Sequence, residues 1–313
     1  MADKVRRSAP PQRRRRSRDC GLRERKTHFV EILRTTPPQN VCPNFYVLMH
    51  ANGCTFSPMC EYCYLKSSLW HHPEPQAFTN TDRLIEEVTT WIHTDGLESC
   101  VLNTGNLSDS LTFERWRPLM ADLVELFRRE AEAKGRPHSL LLVTKGGVQE
   151  CRVLLERKSC PNVVVSFSVN APEASSRLEK GAAPPEDRFA AATELRDAGW
   201  RVRIRVDPMV RGYDYGWVVE EIRRLRPERV TLGALRAEAN LLRVSDNSLF
   251  ADLEPPANPK GYARYPMTER LGYYRTMITP LADLCSIGLC EEPREVWDAL
   301  GLDAESKSCN CGA

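Results

Sequence analysis

The stretch Ser139-Leu140-Leu141-Leu142-Val143-Thr144, then an amphipathic segment over about Gln149–Arg157, then Val163-Val164-Val165-Ser166-Phe167-Ser168-Val169, decides the fold. Each apolar run is strand-sized and too short for a core helix. A helical segment between them carries the chain back, so the two strands lie parallel. Their near-continuous apolar character suits strands covered on both faces. The same alternation extends outward, with strands predicted at Phe45–His50, Ser99–Asn103, Val202–Val206 and Arg229–Leu232. Helices are predicted at about Asp82–Thr94, Phe113–Lys134, Glu186–Ala198 and Trp217–Leu225. The Glu186 helix follows Pro184-Pro185 and stops at Gly199, as start and stop signals require. The class is therefore α/β, a partial or full barrel or a doubly wound sheet, and periodicity does not choose among them.

The flanks differ in composition. Residues 1–26 hold 11 Lys/Arg against 3 Asp/Glu, so the overall +2 hides an acidic body. This segment, with Arg13-Arg14-Arg15-Arg16 and no apolar periodicity, reads as a disordered basic arm. It is an electrostatic tether to nucleic acid or a solvated extension with no role. Residues 27–240 form the main α/β unit. Residues 241–313 read as a C-terminal cap with a Cys-containing tail: a Pro-rich stretch, a helix at about Thr268–Leu284, a short Cys-bearing run and a helix at about Arg294–Leu300. No run approaches the roughly 20 apolar residues of a membrane span, and no apolar segment of the secretory type follows the basic residues. Twelve cysteines in such a chain point to a cytoplasmic, reducing setting, where grouped thiols are metal ligands or redox groups rather than disulfides.

The first strand leads into Gly53-Cys54-Thr55-Phe56-Ser57-Pro58-Met59-Cys60-Glu61-Tyr62-Cys63-Tyr64-Leu65, a Cys-x5-Cys-x2-Cys loop at the strand end where α/β sites assemble. Three thiolates within ten residues can chelate one centre. Structural zinc closes with four ligands, and Cys42, His50, His71 and His72 are candidates for the fourth. An iron–sulfur cluster held by three cysteines keeps one iron open.

The triplet and its surroundings, Cys60-Glu61-Tyr62-Cys63-Tyr64-Leu65-Lys66-Ser67-Ser68-Leu69, resemble the spore photoproduct lyase branch of the radical S-adenosylmethionine (SAM) superfamily. The likeness continues through Leu102-Asn103-Thr104-Gly105-Asn106-Leu107-Ser108-Asp109-Ser110-Leu111, Thr144-Lys145, Ser166-Phe167-Ser168-Val169-Asn170 and Arg203-Ile204-Arg205-Val206-Asp207-Pro208-Met209. It implies a partial (β/α)6 TIM-type barrel, with Cys54, Cys60 and Cys63 holding a [4Fe-4S] cluster whose open iron takes SAM. Reductive cleavage to a 5′-deoxyadenosyl radical, an external one-electron donor of flavodoxin or ferredoxin type, and a DNA-lesion or nucleotide-like substrate are implied with it. The first spacer is two residues longer than the superfamily's Cys-x3-Cys-x2-Cys. The hydrogen-donor cysteine of true spore photoproduct lyases falls near Asn106, and asparagine cannot donate a hydrogen atom as a thiol does. A small-molecule tailoring enzyme acting on a nucleoside or peptide is the alternative, and a non-catalytic zinc-binding nucleic-acid module a third reading.

The resemblance places the SAM carboxylate on Lys145, with Ser166 nearby, and the SAM amino group on the Thr104-Gly105-Asn106 loop; the plain alternatives are an exposed lysine and an ordinary turn. Arg203, Arg205 and Asp207 alternate along one strand, so they share a face that needs partners or a ligand, and Arg205 joins the cofactor-binding set. Asp109 is a substrate-binding or loop-organising residue, or a helix N-cap. Tyr64 is a candidate radical relay or a packing residue beside the cluster. Cys285-x4-Cys290 and Cys309-x-Cys311 are a second metal site, a redox or hydrogen-donor pair on a mobile tail (Cys309 and Cys311), or ordinary core cysteines with an exposed tail.

Overall fold

The computed structural model describes residues 18–34, 36–42, 44–245, 247–256, 258, 260–306 and 308–312. Its centre is one sheet whose strands, in chain order, are β1 (Val30–Leu33), β2 (Phe45–Leu48), β3 (Val101–Asn103), β4 (Ser139–Thr144), β5 (Val163–Ser168), β6 (Arg201–Met209), β7 (Arg229–Ala234) and β8 (Ser286–Leu289). They lie side by side in that same order. β2 to β8 are parallel, and β1 is antiparallel to β2. β1 and β8 do not pair, so the sheet is an open, partial barrel. The crossovers are α1 (Thr81–His93), α2 (Met120–Phe127), α3 (Val148–Leu155), α4 (Pro172–Leu178), α5 (Pro185–Asp197), α6 (Gly216–Leu225) and α7 (Met267–Leu281); α8 (Arg294–Ala299) follows β8.

The six predicted strands are β2 to β7. The C-terminal part does more than cap them, because its Cys-bearing run is β8, a seventh parallel strand along β7. The helix expected from Phe113 starts only at α2. Pro118 disfavours a helical Arg117 before it, and the Glu114 carboxylate accepts the Leu119 and Met120 N–H groups, both at 3.1 Å, in place of a preceding turn. Residues 1–17 of the expected arm lie outside the described residues. Its last part is a strand: Gly21–Arg23 pairs with Gln76–Phe78, which also pairs with Ala51–Asn52. Among the described residues no helix is long and apolar enough to cross a membrane.

Alternation along β6 sorts the two faces of the sheet. Val202, Ile204 and Val206 enter the main core with the crossover helices. Arg203 and Arg205 face the other way, and the structure supplies their partners. Arg203 ion-pairs with Glu228 at 2.6 Å and donates to the carbonyls of Asn310 (2.7 Å) and Gly312 (2.8 Å). Arg229 donates to the carbonyls of Cys309 and Gly312. Cys311 packs against Val101, Leu141 and Val164 on this face. The segment Ser308–Gly312 therefore fills the inner face of the sheet. It passes so close to Gly288 that a Cβ there would overlap the Ser308 carbonyl. The tail expected to be mobile and exposed is docked, with Cys309 and Asn310 buried.

Candidate active site

The cysteine loop is shaped by its own backbone and by two supports. Gly53 turns it with φ +84°, a conformation side chains disfavour, and donates its N–H to Leu107 O at 2.8 Å. Cys63 N–H closes a turn onto Cys60 O, and Leu65–Ser68 continues as a helical turn. The second support is the end of α4. Glu61 N–H donates to Leu178 O at 2.8 Å. Gly181 lies directly against Ser57-Pro58, where a Cβ would overlap the Pro58 carbonyl.

Cys54, Cys60 and Cys63 are half-buried thiols bordering one cavity of about 440 Å³. Burial pushes all three up, Cys60 to about 12 with Glu179 adding to it. Three thiolates in such surroundings need a strong positive centre. The donor set fits an iron–sulfur cube, which takes its cysteines on separate irons and so needs thiols around a space rather than at a point. Among the described residues no three His, Cys, Asp or Glu side chains converge on a single-ion position. Of the candidates for a fourth zinc ligand, Cys42 borders the same cavity and the three histidines do not. His50 is fully buried with its ring nitrogens against Ser108 Oγ (3.0 Å) and Arg117 Nη2 (2.8 Å). Cys42 packs with Cys311 on the Phe45, Val47 and Met49 cluster. His71 and His72 are exposed.

Behind the triplet lies a buried ionic knot that the sequence reading missed. Glu179 pairs with Arg188 at 2.6 Å and with Lys145 Nζ at 3.1 Å, and accepts from Ser175 (3.0 Å) and the Tyr62 hydroxyl. Burial alone would raise its pKa, but Arg188 and Lys145 hold it well below the usual carboxylate range. Lys145 also donates to Ser168 Oγ at 2.6 Å and lies over the Tyr62 ring. One carboxylate thus fixes two cations, leaving positive charge at the cavity wall.

Of the other expected residues, Tyr64, Gly105, Asn106, Lys145, Arg205, Cys309 and Cys311 border the same cavity. Tyr64, 44% exposed, sits at its edge with its hydroxyl on Asn106 O. Asp109 organises the loop: it accepts from Lys145 N–H (2.8 Å), Leu111 N–H (3.1 Å) and Thr144 Oγ1 (2.9 Å), and burial raises it to about 6. Arg205 shares Asp207 with Arg236. Two expected ligand contacts are not brought to the cavity. The Thr104 hydroxyl is spent on Ser110 Oγ and Leu141 O. Ser166 donates to Asn310 Oδ1 at 2.8 Å, so the docked segment stands between it and the cavity. Asn310, Arg236, Tyr262 and Cys290 are lining residues outside the expected binding set.

The family model described as spore photoproduct lyase matches residues 23–229, about two thirds of the chain. This chain belongs to the spore photoproduct lyase family. It is 24% identical over 164 residues to a spore photoproduct lyase of Clostridium acetobutylicum, covering 52% of this chain and 46% of that protein. It is 25% identical over 196 residues to one of Geobacillus sp., covering 62% and 55%. The chain thus spans about half the length of these curated relatives. Among solved structures, a spore photoproduct lyase double mutant with bound AdoMet and dinucleoside spore photoproduct has the same fold, with TM-score 0.71 and 19% identity over 86% of this chain and 81% of that one. A spore photoproduct lyase complexed with dinucleoside spore photoproduct gives TM-score 0.69 at 19% identity over the same shares.

Proposed function

We propose that the chain is a radical SAM enzyme of lyase type acting on a DNA lesion or a nucleotide-like substrate. The observation that carries this is a family member with three thiols around the cavity that also holds Lys145, Gly105 and Asn106. Cys54, Cys60 and Cys63 would hold a [4Fe-4S] cluster, which when bound supplies reductive cleavage of SAM to a 5′-deoxyadenosyl radical, the electron coming from a flavodoxin- or ferredoxin-type donor.

The chain's own residues bind and orient. Lys145, fixed by Glu179 and Ser168, offers its ammonium to the SAM carboxylate. The Gly105 N–H is taken by Asn103 Oδ1 at 2.8 Å, so its carbonyl is the group left for the SAM ammonium. Tyr64 closes the mouth beside Asn106 and shields the reacting atoms from water. With asparagine at 106, hydrogen donation falls to another thiol of the cavity wall, where Cys42 and Cys290 stand beside our candidates Cys309 and Cys311. Asn103 Nδ2 lies 3.6 Å from Cys311 Sγ, linking that thiol to the loop that carries Asn106. The same asparagine favours, as second reading, a tailoring reaction on a free nucleoside or peptide.

The test is anaerobic reconstitution with SAM and dithionite, assaying 5′-deoxyadenosine with and without DNA carrying thymine photoproducts. Lesion-stimulated formation supports the first reading. Formation indifferent to the lesion selects the second, and no 5′-deoxyadenosine from iron-loaded protein overturns both.

A further inference from the structure

The docked segment presents one polar group with nothing to bind. Asn310 is 2% exposed and borders the cavity. Its Oδ1 accepts from Ser166, while its Nδ2 is buried with no partner. Most buried polar groups are satisfied, and an unsatisfied amide is costly. The backbone around it is held rigidly: Arg203 binds the carbonyls of Asn310 and Gly312, Arg229 those of Cys309 and Gly312, and Gly288 leaves room for Ser308. This is a buried donor at the cavity wall, held in place from both sides and left without a partner.

The neighbouring wall says what kind of acceptor fits. Arg205 and Arg236 are both turned onto Asp207, with their Nη2 atoms 3.2 and 3.3 Å from Cys290 Sγ. Glu238 and Glu291 border the same end, so the guanidinium charge there is balanced and does not call for a phosphate. Tyr262, Leu235 and Leu241 add flat and apolar surface. An uncharged planar group with a carbonyl or ring-nitrogen acceptor matches this end, and an asparagine amide is suited to reading such an edge.

We propose that Asn310 is a ligand-binding residue whose side-chain amide donates a hydrogen bond to the acceptor edge of a nucleobase in the cavity, either the adenine of SAM or a base of the nucleotide substrate. It rests on the reading under Proposed function for the occupants of the cavity. Ser166 then acts through Asn310, as a positioning residue that holds the amide oxygen so that the nitrogen faces the base.

The experiment is calorimetric titration of the anaerobically reconstituted full chain with SAM and, separately, with dinucleoside spore photoproduct. Beside the uncharged Asn310→Ala, which must show the same loss, the key variant is Asn310→Asp: it keeps an oxygen for Ser166 and turns the donor into a charged acceptor. It is expected to weaken one of the two ligands about tenfold, the scale of one buried hydrogen bond, and to leave the other within about twofold. Gly288→Ala, which displaces the segment that carries the amide, is expected to weaken the same ligand. Loss for SAM assigns the adenine, and loss for the dinucleoside assigns the substrate base. Unchanged affinity for every ligand that the parent binds overturns the assignment alone. Equal loss for both ligands marks a collapsed cavity rather than a lost contact and also overturns it. A parent chain that binds neither ligand overturns it together with the proposed function.

Discussion

Seven cysteines border the cavity, and two groups among them have opposite surroundings. Cys54, Cys60 and Cys63 stand on a loop supported from outside by α4 and Gly181, with backbone N–H groups of Phe56, Leu65 and Lys66 at the Cys54 and Cys63 sulfurs and Lys145 close by. Cys309 and Cys311 belong to a segment whose carbonyls are bound by Arg203 and Arg229, and Cys309 is a buried side chain among protein contacts. On the proposed function the first group is a set of ligands, whereas the second is packed into the fold. Cysteine counts and spacings alone do not separate these roles; the neighbours of each sulfur do.

The sharpest way to break this contrast is substitution within each group. Cys54→Ala, Cys60→Ala or Cys63→Ala is expected to abolish SAM cleavage, measured as 5′-deoxyadenosine, while Cys309→Ala and Cys311→Ala still cleave SAM. Equal loss from the tail variants would place the tail in the cluster site. Next in size is the ionic knot behind the triplet. Glu179→Ala leaves Arg188 and Lys145 as buried, uncompensated cations and is expected to cost about 3–5 kcal/mol in denaturant unfolding. The exposed Arg294–Glu305 pair is the control, and Glu305→Ala should cost no more than about 1 kcal/mol.

Two glycines give a matched pair. Gly181→Ala and Gly288→Ala each force a methyl into backbone and are expected to cost about 1–3 kcal/mol. Gly181→Ala should also lower iron loading, because it moves the loop between Cys54 and Cys60. Gly288→Ala should leave iron loading unchanged. The reverse pattern in iron analysis would exchange the roles of the two groups.

The smallest effect concerns His50, which ties β2 to the loop after β3. Burial, with Arg117 adding to it, holds its pKa well below the usual histidine value. The unfolded chain, with a histidine near 6.5, takes up a proton that the fold refuses. Stability from this group is therefore full above about pH 6.5 and falls as pH drops below it. One unit lower the loss is about 1.4 kcal/mol, and His50→Gln should flatten that part of the stability–pH curve. An unchanged slope would mean that the buried ring accepts the proton.

Much of the fold was legible because continuous apolar runs such as Leu140–Val143 and Val163–Val165 are what doubly covered parallel strands require. β1 was not, since Val30-Glu31-Ile32-Leu33 is a short edge strand, and Gly21-Leu22-Arg23 has no apolar pattern at all. β8 was hidden in a four-residue run, Ser286–Leu289, too brief to carry a period. At the site, alternation correctly put Arg203 and Arg205 on one face but could not say what covers it. The cover is a segment about a hundred residues further on, and it takes Ser166 out of reach of a ligand. Glu179 was illegible for a similar reason, since its importance comes from where Arg188 and Lys145 meet in space.

On the proposed function, the Cys54, Cys60 and Cys63 loop builds a SAM-binding iron–sulfur centre. Electron paramagnetic resonance of the anaerobically reconstituted, dithionite-reduced chain, recorded with and without SAM, tests it most directly. About four iron per chain and a reduced-cluster signal that changes shape when SAM is added are expected. Protein that takes up zinc but no iron, or a cluster signal indifferent to SAM, would contradict it.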